Sequence, residues 1–334
     1  MLNEKNGDVC RAIAFASDAR GLLPMKVAVY SLLETAASNV SYCIFVLGDH
    51  LDAGHLHDLE TLVARFGKHH EVRLISMEKI LEERALLHSD RWPVSAWSRL
   101  FLPSLIGPEW ERVLYCDIDV LVCDDLGDLY TTDLQGKALA GTLDELPLLN
   151  GEVHPRLACL GVPANAAGYF NSGVMLMDAR AFCERRLLDR VLAFVPCYEG
   201  QFSFPDQDAI NGALWDELVP VHPRWNWCDR WAARIRKNDP SAAIWPGCAT
   251  PREAVEASVR PGILHFWGPK KPWFYNYRYE GPRYEAAMRR ADVGGLPLPG
   301  KTWIKSMKKK WYALSFARNR SVIRRYAAAM GIVS

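Results

Sequence analysis

Short apolar runs alternate with helix-like segments through the first half of this chain. Residues 12–16, 42–47 and 72–75 are apolar runs of strand length. Between them, Pro24 opens a helical segment that continues to residue 33, Pro being suited to a first turn. Residues 51–66 place Leu51, Leu56, Leu59, Leu62, Val63 and Phe66 at helical spacing, and Gly67 ends the pattern. Residues 95–106 read as another helix, despite Pro103. Strands joined by helical crossovers pair in parallel, and a parallel sheet needs both faces covered. The expected class is therefore α/β, a mostly parallel sheet flanked by helices. Strands at 137–143, 174–177 and 262–267, and a helix at 208–215, extend the same pattern. Ligands of such sheets bind beyond the carboxyl ends of the strands. Asp18, Asp49, Asp117 and Asp119 all lie near such ends.

Asp117 and Asp119 say most about chemistry. The run from Arg112 to Leu121 is apolar and strand-like until it meets two carboxylates separated by Ile118. In extended backbone, positions i and i+2 share a side. Both carboxylates would then point one way, with Ile118 turned into the core. Two like charges held side by side repel unless a cation or a shared proton lies between them. That points to a divalent metal, and a metal at a strand end suits a phosphate. A second pair, Asp124-Asp125, reads as turn and cap residues.

His265 lies in the apolar run from Ile263 to Trp267, followed at once by Gly268, Lys270 and Lys271. A histidine in such a run is more often a core residue. Glycine and two lysines directly after it suit a loop around an anion, with His265 as a third metal ligand. The blocks Tyr169-Phe170-Asn171-Ser172-Gly173 and Pro205-Asp206-Gln207-Asp208 concentrate amides and carboxylates of the kind that bind sugar hydroxyls, although Asp206 also suits a helix cap. Gly295 and Gly300-Lys301-Thr302 match a phosphate-loop spacing, but Pro297 and Pro299 remove two of the N–H groups such a loop needs.

The bulk numbers exclude little. A chain of 334 residues with 49% apolar and 24% charged residues is an ordinary globular protein. Nine scattered cysteines with no CxxC pair read as reduced thiols. Residues 1–11 do not form a secretory signal, and no run approaches a membrane span. A cytoplasmic location is expected.

Taken together, these blocks resemble family 8 of the glycosyltransferases, especially the bacterial lipopolysaccharide galactosyl- and glucosyltransferases. The likeness runs from about residue 12 to 273, through Phe15-Ala16-Ser17-Asp18, Trp97-Ser98-Arg99-Leu100, residues 114–121, the two amide-rich blocks, and residues 265–273. It implies a GT-A fold, a Rossmann-like nucleotide-binding sheet with an acceptor region. It also implies hexose transfer from a UDP-sugar with retention of configuration. By resemblance, Asp117, Asp119 and His265 would bind Mn²⁺ (Mg²⁺ next), Asp18 would contact the uracil, and Ala16 and Ile118 the nucleoside. Gly268 and Lys271 would hold the diphosphate. Arg99, Asn171, Asp206 and Gln207 would line the donor sugar, and Asp144 would reach donor or acceptor hydroxyls. Where the family has Asn or an acidic residue and then Tyr soon after Asp18, this chain has Ala19-Arg20-Gly21.

The expected division is a catalytic domain at 1–285, with a nucleotide-sugar half to about 125 and an acceptor half beyond it, a linker at 286–300, and a basic tail at 301–334. Residues 301–325 carry nine Lys and Arg and no acidic residue, with Trp303, Met307, Trp311 and Leu314 at helical spacing. A basic amphipathic helix suits an anionic membrane surface and a lipid-linked acceptor. No nucleic-acid partner is expected. The rival reading is a phosphohydrolase of the haloacid dehalogenase type, with Asp117 as nucleophile.

Overall fold

Side chains along the central strands sort by parity into two cores. Ala12, Ala14, Cys43, Phe45, Val113, Tyr115, Met175 and Met177 face one, and Ile13, Phe15, Ile44, Val46, Leu114, Cys116, Val174 and Leu176 face the other. Strands buried on both faces read as continuous apolar runs, which is why these segments show no polar alternation. The structure is a computed structural model. It describes residues 3–5, 8–67, 69–82, 97–144, 155–228, 250–274, 277, 280–293, 314, 317–318 and 320–333.

The main sheet holds β1 (Asn3–Lys5), β2 (Asp8–Asp18), β3 (Val40–Asp49), β4 (Glu71–Ser76), β5 (Arg112–Cys116), β7 (Leu139–Leu143), β8 (Phe170–Asp178) and β9 (Leu218–Pro220), while β6 (Val120–Val122) leaves it. Its order is β4-β3-β2-β5-β8-β7-β9, with β1 paired antiparallel to the start of β2. The pairs β2–β3, β3–β4, β2–β5 and β7–β9 are parallel, and β8 runs antiparallel to both its neighbours. The expected mostly parallel α/β sheet is present. Because β8 is reversed, its first residues lie at the same edge as the last residues of β2 and β5.

Helices cover both faces. α1 (Leu22–Thr35), α2 (Ala53–Ala64) and α5 (Gly127–Tyr130) pack on the second core. α4 (Ser98–Leu105), α7 (Ala179–Glu184), α8 (Leu187–Tyr198) and α9 (Pro205–Ala213) pack on the first. Two short helices, α3 (Glu78–Glu82) and α6 (Pro155–Cys159), lie between them in sequence.

A second, three-stranded sheet, β10-β11-β6, is built from β6, β10 (Trp227–Cys228) and β11 (Ile263–His265). It carries its own core with α10 (Pro251–Val259) and α11 (Gly281–Ala291). α11 runs past the expected domain boundary at 285, because Ala287 and Met288 are buried side chains of that core and Ala291 is buried in the second core of the main sheet. A last described helix, residues 320–329, docks there too, through Ile323 and Ala327. Its end is closed by Gly331 at φ +67, with Gly331 N–H donating to Ala328 O and Ile332 N–H to Ala327 O. Arg252 of α10 donates to the carbonyl of Met330 at 2.7 Å. This part of the basic tail is thus joined to the catalytic fold. Of the expected amphipathic stripe, Trp303, Met307 and Trp311 lie outside the described residues, as do the linker from 294 and the rejected phosphate-loop pattern. Among the described residues, no helix is long and apolar enough to cross a membrane.

Candidate active site and metal centre

The two carboxylates do not lie in a strand. β5 ends at Cys116 and β6 begins at Val120, so Asp117-Ile118-Asp119 is the bend by which the chain passes from the large sheet to the small one. The backbone is pinned on each side. Asp117 N–H donates to Gly173 O of β8 at 2.7 Å, and Asp119 O accepts from Phe266 N–H at 2.9 Å. Simple alternation therefore fails as the reason the two carboxylates share a side, yet they do converge. Ile118 packs against the second core, as expected.

His265, at the end of β11, completes the group. One ligand atom from each of Asp117, Asp119 and His265 lies within 4.8 Å of the others. His265 Nε2 is 3.0 Å from Asp119 Oδ1 and 3.7 Å from Asp117 Oδ2. The ring's orientation follows from a chain of hydrogen bonds that starts at backbone. Gly173 N–H donates to Asn171 Oδ1 at 3.0 Å, so that atom is oxygen. Asn226 Nδ2 donates to the same oxygen at 2.8 Å. Asn226 therefore presents its own oxygen to His265 Nδ1, also at 2.8 Å. Nδ1 carries the proton, and Nε2 is left facing the carboxylates, the arrangement a metal-ligating histidine needs. A Cβ on Gly173 would lie 2.2 Å from His265 Cε1 and 2.7 Å from Asp117 Oδ2, so only glycine leaves the cradle open. Two carboxylates and one imidazole suit Mn²⁺ or Mg²⁺.

Two cations balance the carboxylates. Lys271 bonds Asp119 Oδ2, and Arg99 NH2 bonds Asp117 Oδ1 at 2.9 Å, where Tyr115 OH also donates at 2.8 Å. The carboxyl groups are pushed apart in acidity. Burial raises Asp117, reinforced by the charge of Asp119 and only partly offset by Arg99. Burial would raise Asp119 too, but His265 and Lys271 outweigh it and hold that carboxyl well below the usual range. Arg99 is buried, and its guanidinium also meets Ser172 O at 2.6 Å and Asp206 Oδ2 at 3.2 Å. It ties β5, β8 and α9 together.

The expected sugar-binding residues meet around β8 and α9. Gln207 Oε1 accepts from Ser172 N–H at 3.0 Å, and Gln207 Nε2 donates to Asp144 Oδ2 at 2.8 Å. Asn171 Nδ2 reaches the same Asp144 oxygen at 3.3 Å. Asp206 accepts from Ser172 Oγ at 3.1 Å. Beneath them the fully buried Asp208 accepts from Tyr169 OH, from Ser203 N–H at 2.6 Å and from Phe204 N–H at 2.8 Å, and pairs with Arg156. This locks the first turn of α9, which carries Asp206 and Gln207.

On the nucleotide side, Asp18 ends β2 beside Asp49, caps the turn at residues 19–21, and is bonded by Arg20 Nε at 2.8 Å and NH2 at 2.6 Å. The residue that departs from the family pattern thus occupies the carboxylate expected to meet the base. Ala16 packs half-buried against the first core, and Gly268, at φ +95, lets the chain turn between His265 and Lys271. The sequence reading missed Asn226, Ser172, Tyr115 and Asp208 as supports. Asn226 stands alone between Trp225 and Trp227 and belongs to no motif, so nothing in the sequence marks it.

Comparison with known proteins gives one consistent result. Residues 12–277 match the model of glycosyl transferase family 8. General stress protein A of Bacillus subtilis is 27% identical over 252 residues, covering 75% of this chain and 82% of that protein. A lipopolysaccharide 1,2-glucosyltransferase of Escherichia coli K12 is 25% identical over 284 residues, covering 84% and 77%. The crystal structure of the galactosyltransferase LgtC with donor and acceptor sugar analogues superposes with a TM-score of 0.70 at 22% identity, over 86% of this chain and 97% of that one.

Proposed function

The chain belongs to glycosyl transferase family 8, and on that premise we propose that it moves glucose or galactose from a UDP-sugar to a saccharide acceptor with retention of configuration. That it is a glycosyltransferase of GT-A fold follows from the family and from its structural neighbours. Mn²⁺ as the ion, the donor and a lipopolysaccharide or other lipid-linked acceptor are our reading. The observation that carries it is the convergence of Asp117, Asp119 and His265 within 4.8 Å at the strand edge. When bound, the metal neutralises charge developing on the departing diphosphate.

The chain's own residues supply the rest. Lys271, on the loop turned by Gly268, exchanges Asp119 for a diphosphate oxygen. Asp18 meets the uracil once Arg20 releases it, and Ala16 and Ile118 border the nucleoside. Asn171, Asp144, Asp206 and Gln207 hold the sugar, and Arg99 positions Asp117 and Asp206. Retention by double displacement would need a free nucleophile. Asp206 is committed to Arg99 and Ser172, and both ends of the Gln207 amide are bonded. These contacts favour front-face substitution, in which the leaving phosphate oxygen takes the acceptor's proton. The basic tail at 301–334 would draw the enzyme to the cytoplasmic face of an anionic membrane. The phosphohydrolase alternative leaves His265, Gly268 and Lys271 without a role.

The test is a panel of nucleotide sugars incubated with Mn²⁺, with products identified by NMR. Metal-dependent release of UDP from one hexose donor is expected, lost in Asp119→Asn while the thermal midpoint holds. An active Asp119→Asn enzyme, or phosphate release from aryl phosphates without any nucleotide sugar, overturns the proposal. A covalent sugar trapped on Asp206 would replace the front-face step.

A further inference from the structure

A second concentration of charge lies where the last described helix meets the end of α10. A groove of about 830 Å³ opens there, and four of its lining side chains are Arg260, Arg320, Arg324 and Arg325. None of its lining residues is acidic and none is aromatic, and Val259 and Val333 supply an apolar floor. The helix divides its faces by spacing. Residues 323 and 327 are buried in the core, while 320, 321, 324, 325 and 328 face the groove. Arg320 and Arg324, four apart on one helix face, repel each other. Among the described residues, no carboxylate bonds the side chains of Arg260, Arg324 or Arg325. The carboxylate of Glu280, close enough to act on Arg320, is buried with one oxygen unbonded and shared with Arg283. Folding has therefore assembled four guanidinium groups around one concavity, and three of them, Arg260, Arg324 and Arg325, have no bonded carboxylate among the described residues. The helix end is fixed by the Gly331 cap and by Arg252 on Met330, so the backbone that carries Arg324 and Arg325 is held in place.

Guanidinium forks match tetrahedral oxyanions, and several on one cavity suit a charge near −2. The aliphatic floor suits the carbon side of an ester. With no aromatic platform in the lining, base stacking has no support. We propose that this groove is a binding site for a phosphate ester, distinct from the site of the donor diphosphate. The argument rests on the groove's own residues and stands apart from the choice of donor. The same chemistry is offered by an anionic phospholipid headgroup and by a phosphorylated saccharide in solution.

The test uses the full chain and the triple variant R260Q/R324Q/R325Q, which leaves Arg320 and Glu280 in place. The control, K308Q/K309Q/K310Q, removes the same charge from the neighbouring run. Probes are glycerol 3-phosphate, by titration calorimetry, and phosphatidylglycerol vesicles against phosphatidylcholine vesicles, by flotation. The arginine variant should lose about fivefold in affinity per side chain removed; the lysine variant, whose run is proposed to meet the membrane, is read on glycerol 3-phosphate alone and should keep its affinity there. Loss on vesicles alone assigns the site to a lipid headgroup; loss on both probes assigns it to a small ester. Metal-dependent UDP-sugar hydrolysis should be unchanged in the triple variant, so failure of the groove is separable from failure of the transferase reading. The single variant R324Q serves if the triple unfolds. Native protein that binds neither probe, equal loss of glycerol 3-phosphate binding in the lysine variant, or tighter arginine-dependent binding of an RNA oligomer overturns the proposal.

Discussion

Replacing Gly173 with alanine should crowd the metal centre and force its ligands apart while every ligand residue stays unchanged. The glycine lies inside β8, away from any left-handed backbone, so strain there is not the issue. Its added Cβ would sit 2.2 Å from His265 Cε1, 3.0 Å from His265 Nδ1 and 2.7 Å from Asp117 Oδ2. Carbon atoms settle about 3.5–4 Å apart, so the ring must retreat by about 1.3 Å. It cannot do so freely, because it is 2% exposed and its Nδ1 is bonded to Asn226. Metal sites tolerate displacements of about 0.2 Å. Disturbing one ligand's support costs about 10–100-fold in affinity, or about 1.4–2.8 kcal/mol. The overpacked strand itself should lose about 1–3 kcal/mol of stability. Free Mn²⁺ followed by electron paramagnetic resonance, with no nucleotide present, reads the first effect, and thermal unfolding reads the second. Gly141→Ala on the adjoining strand is the control. Its Cβ would meet nothing closer than 3.5 Å, so metal affinity should be unchanged. If Gly173→Ala binds Mn²⁺ within about threefold of the native chain, the triad is not the metal site and the reasoning fails.

Asn226→Ala should weaken Mn²⁺ binding by about 10–100-fold, since His265 loses the acceptor that orients it; UDP binding measured without metal should not move. Lys271→Met should weaken UDP binding, while Mn²⁺ alone binds no more weakly, because the lysine no longer competes for Asp119; a parallel loss of both would contradict this. Asp208→Asn should cost about 2–4 kcal/mol in urea unfolding, since Arg156 and two backbone N–H groups lose a buried carboxylate, and turnover should fall with it. Arg290 holds the Glu34 carboxyl below its ordinary value through a two-pronged contact at 2.6 and 2.7 Å. A lowered folded-state value means that its stabilisation is present above pH 4.5 and lost as pH falls through the folded value. Glu34→Gln should therefore flatten the fall of the thermal midpoint below pH 4.5, and an unchanged slope would remove the pair from the account.

What the sequence made legible was what short-range rules can carry. β2, β3 and β4 were visible because strands buried on both faces are unbroken apolar runs. Asp117 and Asp119 were visible as a pair, although for an incomplete reason: a bend pinned by Gly173 and Phe266 brings them together. The reversal of β8 was not visible, because an apolar run carries no direction. α10 was missed although Thr250 and Glu253 form a capping box around Pro251, a signature local enough to read. Asn226 was beyond reach, since its importance comes from Asn171 and His265, 55 and 39 positions away. The docking of Ile323 and Ala327 was hidden by the arginines beside them, which drew the segment toward a free basic tail.

The docked helix also has a consequence for how the chain is made. Ile323 and Ala327 share one core with Val27, Ala254, Val255, Ala287 and Met288. A ribosome delivers these residues in order, at about 5–20 per second, and early parts of a chain condense before late ones arrive. The strands around β2 can close while α10 and α11 still wait for their covering helix. That interval lasts roughly 2–6 seconds at these rates. During it the apolar faces of α10 and α11 are open to any sticky neighbour. Slow codons or a stall between residues 291 and 323 would lengthen the exposure, so the yield of native enzyme should depend on translation speed across that stretch as well as on the stability of the finished fold.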